Sequence, residues 1–165
     1  MYRLFLFLFV VASFTACRKA DEKPLVQPTP TNLLTRSQWR EVGHTFGSFI
    51  TNRKSFTGGN VYDQQPACRH DDFLRFNANQ TVVFDEGASL CYSTDPQQKT
   101  DSWNLSNNYG YTQLIANLPH TNNGFVGQPT LYTIVELSET TLTVRSQRSN
   151  LQGGPTVEEV CYQAF

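Results

Sequence analysis

Apolar and polar residues alternate with a period of two along most of the chain after Leu33. This alternation is typical of strands that bury one face against a core. The only helical period in this part of the sequence is one turn, predicted at residues 33–38. Trp103 and Leu105 share the apolar face of one short strand. The positions that share a face of the first predicted strand are Val42, His44, Phe46, Ser48 and Ile50.

A hairpin is predicted in the C-terminal third of the chain, between two alternating segments. The four residues expected to share one face of it are Val135, Leu137, Leu142 and Val144. The turn comprises either residues 138–139 or residues 138–141. Both alternatives give the same shared face, because they differ by an even number of positions.

A second hairpin is predicted around residues 77–81, which resemble a type I turn closed by a G1 bulge. Gln80 lies where glycine usually supplies a positive φ. A three-residue loop pairs Phe76 with Val82 and keeps one face apolar. A two-residue turn would instead pair Phe76 with Thr81 and mix the faces, so the three-residue loop is preferred.

The same register predicts a disulfide. Continued toward the far ends of the strands, it pairs Leu74 with Phe84 and brings position 68 opposite position 90. Gly87 offers a place for a bulge that absorbs a slip of one residue. We therefore predict a bond between Cys68 and Cys91, which an oxidising compartment would allow.

The last predicted strand, residues 157–165, places Cys161 on the face opposite Val160, Tyr162 and Ala164. We expect a free thiol there, because no neighbouring Cys, His, Lys or Arg would activate it. The whole chain then offers about eight to ten short antiparallel strands without crossover helices. Such a chain forms an up-and-down meander that either closes into a barrel or folds as a sandwich.

The N-terminal segment differs from the rest, because 13 uncharged residues, 4–16, follow a single positive charge at Arg3. The run is shorter than the roughly 20 residues of a membrane span, which indicates a signal peptide. Its end, Phe-Thr-Ala-Cys at residues 14–17, resembles the lipobox of bacterial lipoproteins. We expect residues 1–16 to be removed and Cys17 to carry the lipid, with fatty acids such as palmitate. The alternative is an ordinary cleavage site before an unmodified cysteine.

The segment after the lipobox, residues 17–32, is predicted to be a lipidated, disordered tether, because it is rich in proline and poor in apolar residues. Its acidic pair at residues 21–22 resembles the surface-export signal of Bacteroidota lipoproteins. The folded domain is predicted at residues 33–165. The protein is then anchored to the outer membrane of the cell envelope, on its periplasmic or its exposed side.

Composition excludes a nucleic-acid partner. The chain has 13 Lys and Arg against 14 Asp and Glu, a net charge of −1. Nucleic-acid binding requires a concentrated basic surface, which this balance does not provide. The aromatic content of 13% is typical of one globular domain rather than of a disordered chain.

Candidate catalytic and metal-binding residues do not form a local motif. His44, His70 and His120 lack metal-ligand spacing. Residues 71–72 could contribute to a hard-cation site, but calcium needs about six oxygens and no loop here supplies them. The neighbouring acids Glu158 and Glu159 point to opposite faces of a strand, although acids distant in sequence can still meet in space. We predict no catalytic residue, no metal and no cofactor.

Several segments together resemble the lipocalin-like lipoproteins of Bacteroidota. They are residues 33–39, residues 68–76 with Cys91, residues 103–105, residues 132–138 and residues 141–144. The resemblance implies an all-β fold, an antiparallel up-and-down β-barrel of about eight to ten strands with a short N-terminal helical turn. It also implies that Trp39 plugs one end of the barrel. Resemblance to this family implies a fold more than an activity, and we do not expect the protein to be an enzyme.

Two functions remain open at this stage. The first is binding of a small hydrophobic ligand in the barrel mouth, although the same aromatics can fill the core of an eight-stranded barrel. The second is a protein-interaction or inhibitor module that contacts an envelope protein through the long connections 51–66 and 118–129. The candidate ligand-binding residues are Trp39, Phe46, Phe76, Phe84 and Trp103.

Overall fold

The protein, described by a computed structural model, has an antiparallel β fold. The structure describes residues 27–50, 55–119, 129–149 and 155–165. Two short 3₁₀ turns lie in these ranges, at Tyr62–Gln64 and Ala67–Arg69. The helix and strands are α1 Pro30–Thr35, β1 Gln38–Ile50, β2 Ser55–Asn60, β3 Phe73–Phe76, β4 Thr81–Asp85, β5 Gln98–Asn108, β6 Tyr111–Ala116, β7 Thr130–Leu137, β8 Thr141–Ser149 and β9 Pro155–Ala164.

The sheet closes on itself. Its strand order is β2-β1-β3-β4-β5-β6-β7-β8-β9, and β1 also pairs with β9 from Trp39 to Gly47. Eight strands therefore form a closed barrel, and β2 pairs with the later half of β1 outside it. This confirms the all-β, antiparallel up-and-down barrel and decides against the sandwich. Strand β2 also corrects the prediction that residues 51–66 are a loop.

The short helix begins earlier than predicted. Thr29 is the N-cap of α1, and its Oγ1 accepts a hydrogen bond from the backbone N of Asn32 at 3.2 Å. Pro30 fits the first turn because it has no N–H to leave unpaired. The structure thus confirms a short helical turn, but this turn spans Pro30–Thr35 rather than residues 33–38. Within the described residues, no helix has the length and apolar composition to cross a membrane.

Trp39 and α1 close one end of the barrel. The indole of Trp39 is completely buried, and its Nε1 donates a hydrogen bond to the carbonyl oxygen of Leu34 at 2.9 Å. Leu34 is the buried residue of α1. This end of the barrel is filled by packed side chains, so any opening must lie at the other end.

The β3–β4 hairpin has the predicted register. Phe76 pairs with Val82 and Leu74 pairs with Phe84, and all four side chains are buried. Gln80 adopts a φ of 64°, the left-handed conformation that the G1 bulge requires. This register confirms the three-residue loop, because a loop one residue shorter or longer would turn these apolar residues toward solvent.

A bulge in β1 corrects the predicted inward face of that strand. Glu41 pairs with Tyr162 and Gly43 pairs with Cys161, so Val42 is an extra residue on β1. Val42 was expected to share a face with His44, but Val42 is 43% exposed whereas His44 is buried. The extra residue displaces the alternation by one position, so the inward-facing residues are odd-numbered before the bulge and even-numbered after it.

A second bulge corrects the β7–β8 hairpin. The register changes between Ile134 and Glu136, and Val135 is 47% exposed instead of sharing the face of Val144. Ile134 pairs with Val144 in its place. Nearer the turn, Leu137 pairs with Leu142, so these two residues share a face as predicted. This is the register of the longer alternative, although β8 already begins at Thr141.

The last strand follows its predicted alternation. Val160 and Tyr162 are buried on the inner face of β9, and Ala164 packs against the same core. Cys161 lies on the other face as a free thiol, which confirms that prediction. Its sulfur accepts a hydrogen bond from the hydroxyl of Thr143 at 3.7 Å.

Candidate functional site

The barrel end opposite α1 and Trp39 holds a cavity of about 690 Å³. It lies beside the two 3₁₀ turns, and β1 and β9 contribute His44, Phe46 and Glu158 to its lining. Its apolar lining residues include Phe46, Val61, Pro66, Tyr92 and Pro119, together with the disulfide. Its polar lining residues are His44, Gln64, Gln65, Arg69 and Glu158. The cavity therefore combines an apolar wall with a polar floor.

The disulfide in the cavity wall joins Cys68 and Cys91, whose Cα atoms are 5.3 Å apart. This confirms the predicted pairing, but the strands do not continue to it. Gly87 lies beyond the end of β4, in a turn with a φ of 63°. A Cβ at Gly87 would be 2.5 Å from the carbonyl oxygen of Asp71. The glycine therefore allows a close approach of two loops, rather than the sheet bulge that we expected.

The floor of the cavity is an ion cluster of three side chains, each more than nine-tenths buried. His44 Nε2 lies 3.0 Å from Glu158 Oε1, and His44 Nδ1 lies 3.5 Å from Glu41 Oε1. Burial alone would lower the pKa of His44. The hydrogen bonds to Glu158 and Glu41, with the charges of both acids, outweigh burial and raise the pKa of His44 to about 9. His44 is therefore a cation at neutral pH.

Two neutral side chains complete the cluster. The amide Nε2 of Gln65 donates to Glu41 Oε1 at 2.8 Å, and the hydroxyl of Ser146 donates to Glu158 Oε2 at 3.3 Å. The other end of the Gln65 amide is different. Its Oε1 is buried, and no donor in the described part of the chain reaches it. A buried acceptor of this kind usually has a partner, so a ligand donor is one way to satisfy Gln65.

A smaller space of about 40 Å³ adjoins the cavity and is also lined by charged groups. Lys99 Nζ lies 3.7 Å from Glu86 Oε1 and 3.8 Å from Asp95 Oδ2. Burial and the charge of Glu86 raise the pKa of Asp72 to about 7, against the opposing charge of Arg69. This side of the mouth therefore carries more acidic than basic groups.

The His44 cluster holds charge rather than moving protons. Both ring nitrogens face carboxylates, and the raised pKa keeps the ring protonated, so His44 does not serve as a base at neutral pH. Ser146 bonds to Glu158 rather than to the imidazole, which differs from the arrangement that activates a serine nucleophile. Among the described residues, no three His, Cys, Asp or Glu side chains are grouped as metal ligands.

The structure separates the five aromatic residues predicted to bind a ligand. Phe46 is 44% exposed and lines the cavity. The other four, Trp39, Phe76, Phe84 and Trp103, are buried in the core. For example, Phe76 and Trp103 meet edge to face with ring centroids 5.5 Å apart. A ligand-binding role for this set stays a prediction, and only Phe46 of the five has access to the large cavity.

Sequence reasoning missed the Glu41–His44–Glu158 cluster. One signal was present, because alternation along β9 places Glu158 on the same face as Val160. An acid at an inward position is unusual and indicates a buried partner. Alternation does not predict that Glu41 and His44 lie on the same face, because that arrangement depends on the bulge at Val42.

Other predictions lie wholly or partly outside the described residues. These are the leader and Cys17, His120, and parts of both long connections, at residues 51–54 and 120–128. The prediction that these connections contact a protein partner therefore stays a prediction.

Comparisons with solved structures show similarity to bovine odorant-binding protein. Its complex with a selenium-containing odorant is 18% identical, with 88% of this chain and 78% of that chain covered and a TM-score of 0.38. Its complex with undecanal is 16% identical, with 87% and 77% covered and a TM-score of 0.38. No protein-family model and no curated protein matches the chain. The fold class rests on the strand order and β1–β9 pairing of this chain itself.

Proposed function

We propose that the protein is a bacterial envelope lipoprotein that binds one small, largely hydrophobic molecule at the open end of its barrel, without catalysis. The observation that carries ligand binding is the cavity of about 690 Å³ above a packed core. Small-molecule sites in proteins occupy roughly 300–1,000 Å³. The cavity is thus large enough for a ligand with a ring or a medium-length alkyl chain.

The apolar wall supports a hydrophobic ligand body. Phe46 is 44% exposed and Tyr92 is 64% exposed, and both line the cavity beside Pro66 and Pro119. Apolar surface in water is unfavourable, and a ligand that covers it gains about 25 cal/mol per Å². A small molecule that covers these residues would therefore bind chiefly through burial of apolar surface.

The state of His44 supports the absence of catalysis. Acid–base catalysis needs a group that can exchange a proton near the working pH. The pKa of His44 is raised to about 9 and its ring nitrogens face Glu41 and Glu158. The charged side chains of this cluster therefore pair with one another and are not available for proton transfer to a ligand.

Ligand binding is tested with residues 18–165, a soluble form that contains every described residue, and the fluorescent apolar probe N-phenyl-1-naphthylamine. We expect saturable binding of one probe per chain. Val61→Trp should abolish it by filling the cavity. The control Leu131→Trp alters an exposed site on the barrel wall and should leave binding unchanged. Absence of saturable binding, or binding insensitive to Val61→Trp, would refute the proposal.

The lipoprotein part is supported by the lipobox-like segment that ends at Cys17. Cells expressing the full chain are grown with labelled palmitate, and we expect the label in the purified protein. Cys17→Ala should abolish labelling, whereas Cys161→Ala should retain it. Equal labelling of the Cys17→Ala variant, or none in the unmodified chain, would contradict lipidation.

A further inference from the structure

We propose that the packed end of the barrel, which α1 and Trp39 close, docks on a phospholipid bilayer, with Tyr109 and Tyr111 in the headgroup layer. The cavity at the other end then opens away from the membrane, and its ligand enters from the water. This inference rests on the lipoprotein part of the proposed function and adds the surface by which the anchored domain meets the membrane.

A groove of about 300 Å³ lies at the packed end, beside α1 and the strands β6 and β7. Tyr111 in its lining is 64% exposed and Val135 is 47% exposed. Part of the groove lining is therefore apolar surface that is open to solvent. The apolar residues of the lining are Pro30, Leu33, Tyr111, Ile134, Val135 and Leu137.

The turn beside this groove holds an aromatic residue in a backbone conformation that disfavours it. Asn108 pairs with Tyr111, so Tyr109 and Gly110 form a two-residue turn between β5 and β6. Both have a positive φ, 49° and 80°, as in the type I′ turn that asparagine and glycine favour. This conformation is sterically costly for tyrosine, and yet the residue is 93% exposed. Tyr109 therefore gains little from burial within the described chain, and its strain points to a contact outside it.

The chemistry of this surface fits a bilayer interface. Tyrosine is enriched at membrane–water interfaces, because its ring is apolar while its hydroxyl stays hydrated. Residues 102–119, which include most of β5, the turn and β6, contain no Asp, Glu, Lys or Arg. Glu136 is the charged residue of the groove lining, and its exposed side chain can stay in the hydrated headgroup layer. Aromatic contact with little net charge fits a zwitterionic lipid surface better than a charged partner.

The predicted lipid anchor is attached at the same end of the barrel. The chain enters α1 at Pro30, which lines the groove, and residues 18–29 separate Pro30 from Cys17. A linker of that length spans about 20 Å as a flexible coil and about 40 Å in a polyproline conformation. Docking of the anchored domain is then intramolecular, with an effective concentration in the millimolar range. A surface too small to bind a membrane alone can therefore hold the anchored domain in one orientation.

The test compares two added tryptophan reporters, Tyr111→Trp at the packed end and Tyr92→Trp at the cavity mouth. Both tyrosines are 64% exposed, so the reporters are matched in exposure and in chemical change. The lipidated protein is purified from cells and reconstituted in phosphatidylcholine vesicles that carry a nitroxide-labelled lipid. The wild-type signal of the buried Trp39 and Trp103 is subtracted. We expect Tyr111→Trp emission to shift to shorter wavelength and to be quenched at least about twofold more strongly than Tyr92→Trp emission.

A substitution in the turn separates membrane docking from a structural role. Asparagine adopts a positive φ more readily than tyrosine, so Tyr109→Asn should leave the fold equally or more stable. The same change in the Tyr111→Trp protein should reduce quenching by about half or more, because it removes an interfacial ring. The control Leu131→Asn alters an exposed apolar residue on the barrel wall and should leave quenching unchanged. Full quenching after Tyr109→Asn would overturn the role of Tyr109.

The remaining outcomes overturn the docking surface itself. Equal or stronger quenching of Tyr92→Trp would mean that the packed end is not the side that faces the bilayer. A shift to shorter wavelength in Tyr111→Trp without quenching would mean that protein, from a second copy or from the tether, covers the groove. Neither shift nor quenching would mean that this end stays in water.

Failure of the lipid anchor is distinguishable from failure of the docking surface. If Cys17 carries no lipid, the palmitate label alone refutes the lipoprotein proposal. The same reporters are then read with residues 18–165 held on the vesicles by an N-terminal histidine tag and a nickel-chelating lipid. That attachment enters α1 at the same residue, so the expected and contradicting results for Tyr111→Trp and Tyr92→Trp are unchanged.

Discussion

His44 Nε2 lies 3.0 Å from Glu158 Oε1 inside the barrel, in a contact that joins β1 to β9. These are the strands whose pairing closes the sheet. The contact therefore serves two purposes, since it links the closing strands and forms the charged floor of the cavity. Below it, toward Trp39, the barrel is filled by aromatic and aliphatic side chains.

The free energy of unfolding should decrease as the pH rises from 7 to 10. The pKa of His44 is raised from 6.5 to about 9, so its stabilising contribution is complete below pH 6.5 and is lost as the pH passes through about 9. At about 1.4 kcal/mol per pKa unit, the shift from 6.5 to about 9 implies a full contribution on the order of 3 kcal/mol. Urea denaturation of the wild type and His44→Gln should show a stability difference that narrows with pH. A difference that is constant from pH 6 to pH 10 would contradict this assignment.

Beside Glu41, Glu158 should be one of the two causes of the raised pKa of His44. Replacing it by glutamine removes a charged hydrogen-bond acceptor, and we expect the pKa of His44 to fall by about one unit or more. The measurement is an NMR titration of the imidazole ring. Glu159→Gln is the matched control, because Glu159 bonds to Arg145 and should leave the titration unchanged. A similar shift in both variants would mean that general charge, not the direct contact, sets this pKa.

Gln80→Gly should stabilise the protein. Gln80 has a φ of 64°, which glycine adopts without a steric penalty, and we expect a gain of about 0.5–1 kcal/mol. Chemical denaturation measures the change. Ala78→Gly in the same turn is the control, since Ala78 has no positive φ to relieve and should be neutral or destabilising. Destabilisation by Gln80→Gly would show that the glutamine side chain makes an essential contact.

Gly87→Ala should destabilise the protein by about 1–3 kcal/mol. The added Cβ would lie 2.5 Å from the carbonyl oxygen of Asp71, and the φ of 63° is unfavourable for alanine. Thermal or chemical denaturation gives the effect. Gly59→Ala is the comparison, because a Cβ there meets no atom of the described structure within 4 Å and should change stability by less than about 0.5 kcal/mol. Equal effects at the two positions would refute the argument.

Removing the Cys68–Cys91 disulfide should cost about 3 kcal/mol. The bond joins residues 23 apart in sequence, and the estimate follows from the chain entropy of the unfolded state. The double variant Cys68→Ser/Cys91→Ser is compared with the wild type by denaturation, in each case without reductant. Cys161→Ser controls for loss of a thiol and should have a much smaller effect. Because the disulfide lines the cavity, probe binding should also weaken in the double variant.

The alternation of apolar and polar residues was enough to predict features formed by residues that are close in sequence. The three-residue loop of the β3–β4 hairpin followed from the alternation of Phe76 and Val82 around Gln80, and the pairing of Cys68 with Cys91 followed from the same register. Alternation along β9 likewise placed Glu158 inside. In the hairpin and along β9, a shift of one residue would turn the apolar face toward solvent, which is why alternation predicts these registers, whereas the strands end before the disulfide.

Closure of the barrel decided what the local patterns could not. An extra residue at Val42 lets both Glu41 and His44 point inward, and the extra residue at Val135 moves that side chain outward. These shifts arise where one strand must match the register of a partner that is distant in sequence. Strand alternation therefore determined the fold and most of the core, whereas the assembly of Glu41, His44 and Glu158 required the pairing of β1 with β9, because only that pairing brings residues 114 positions apart into contact.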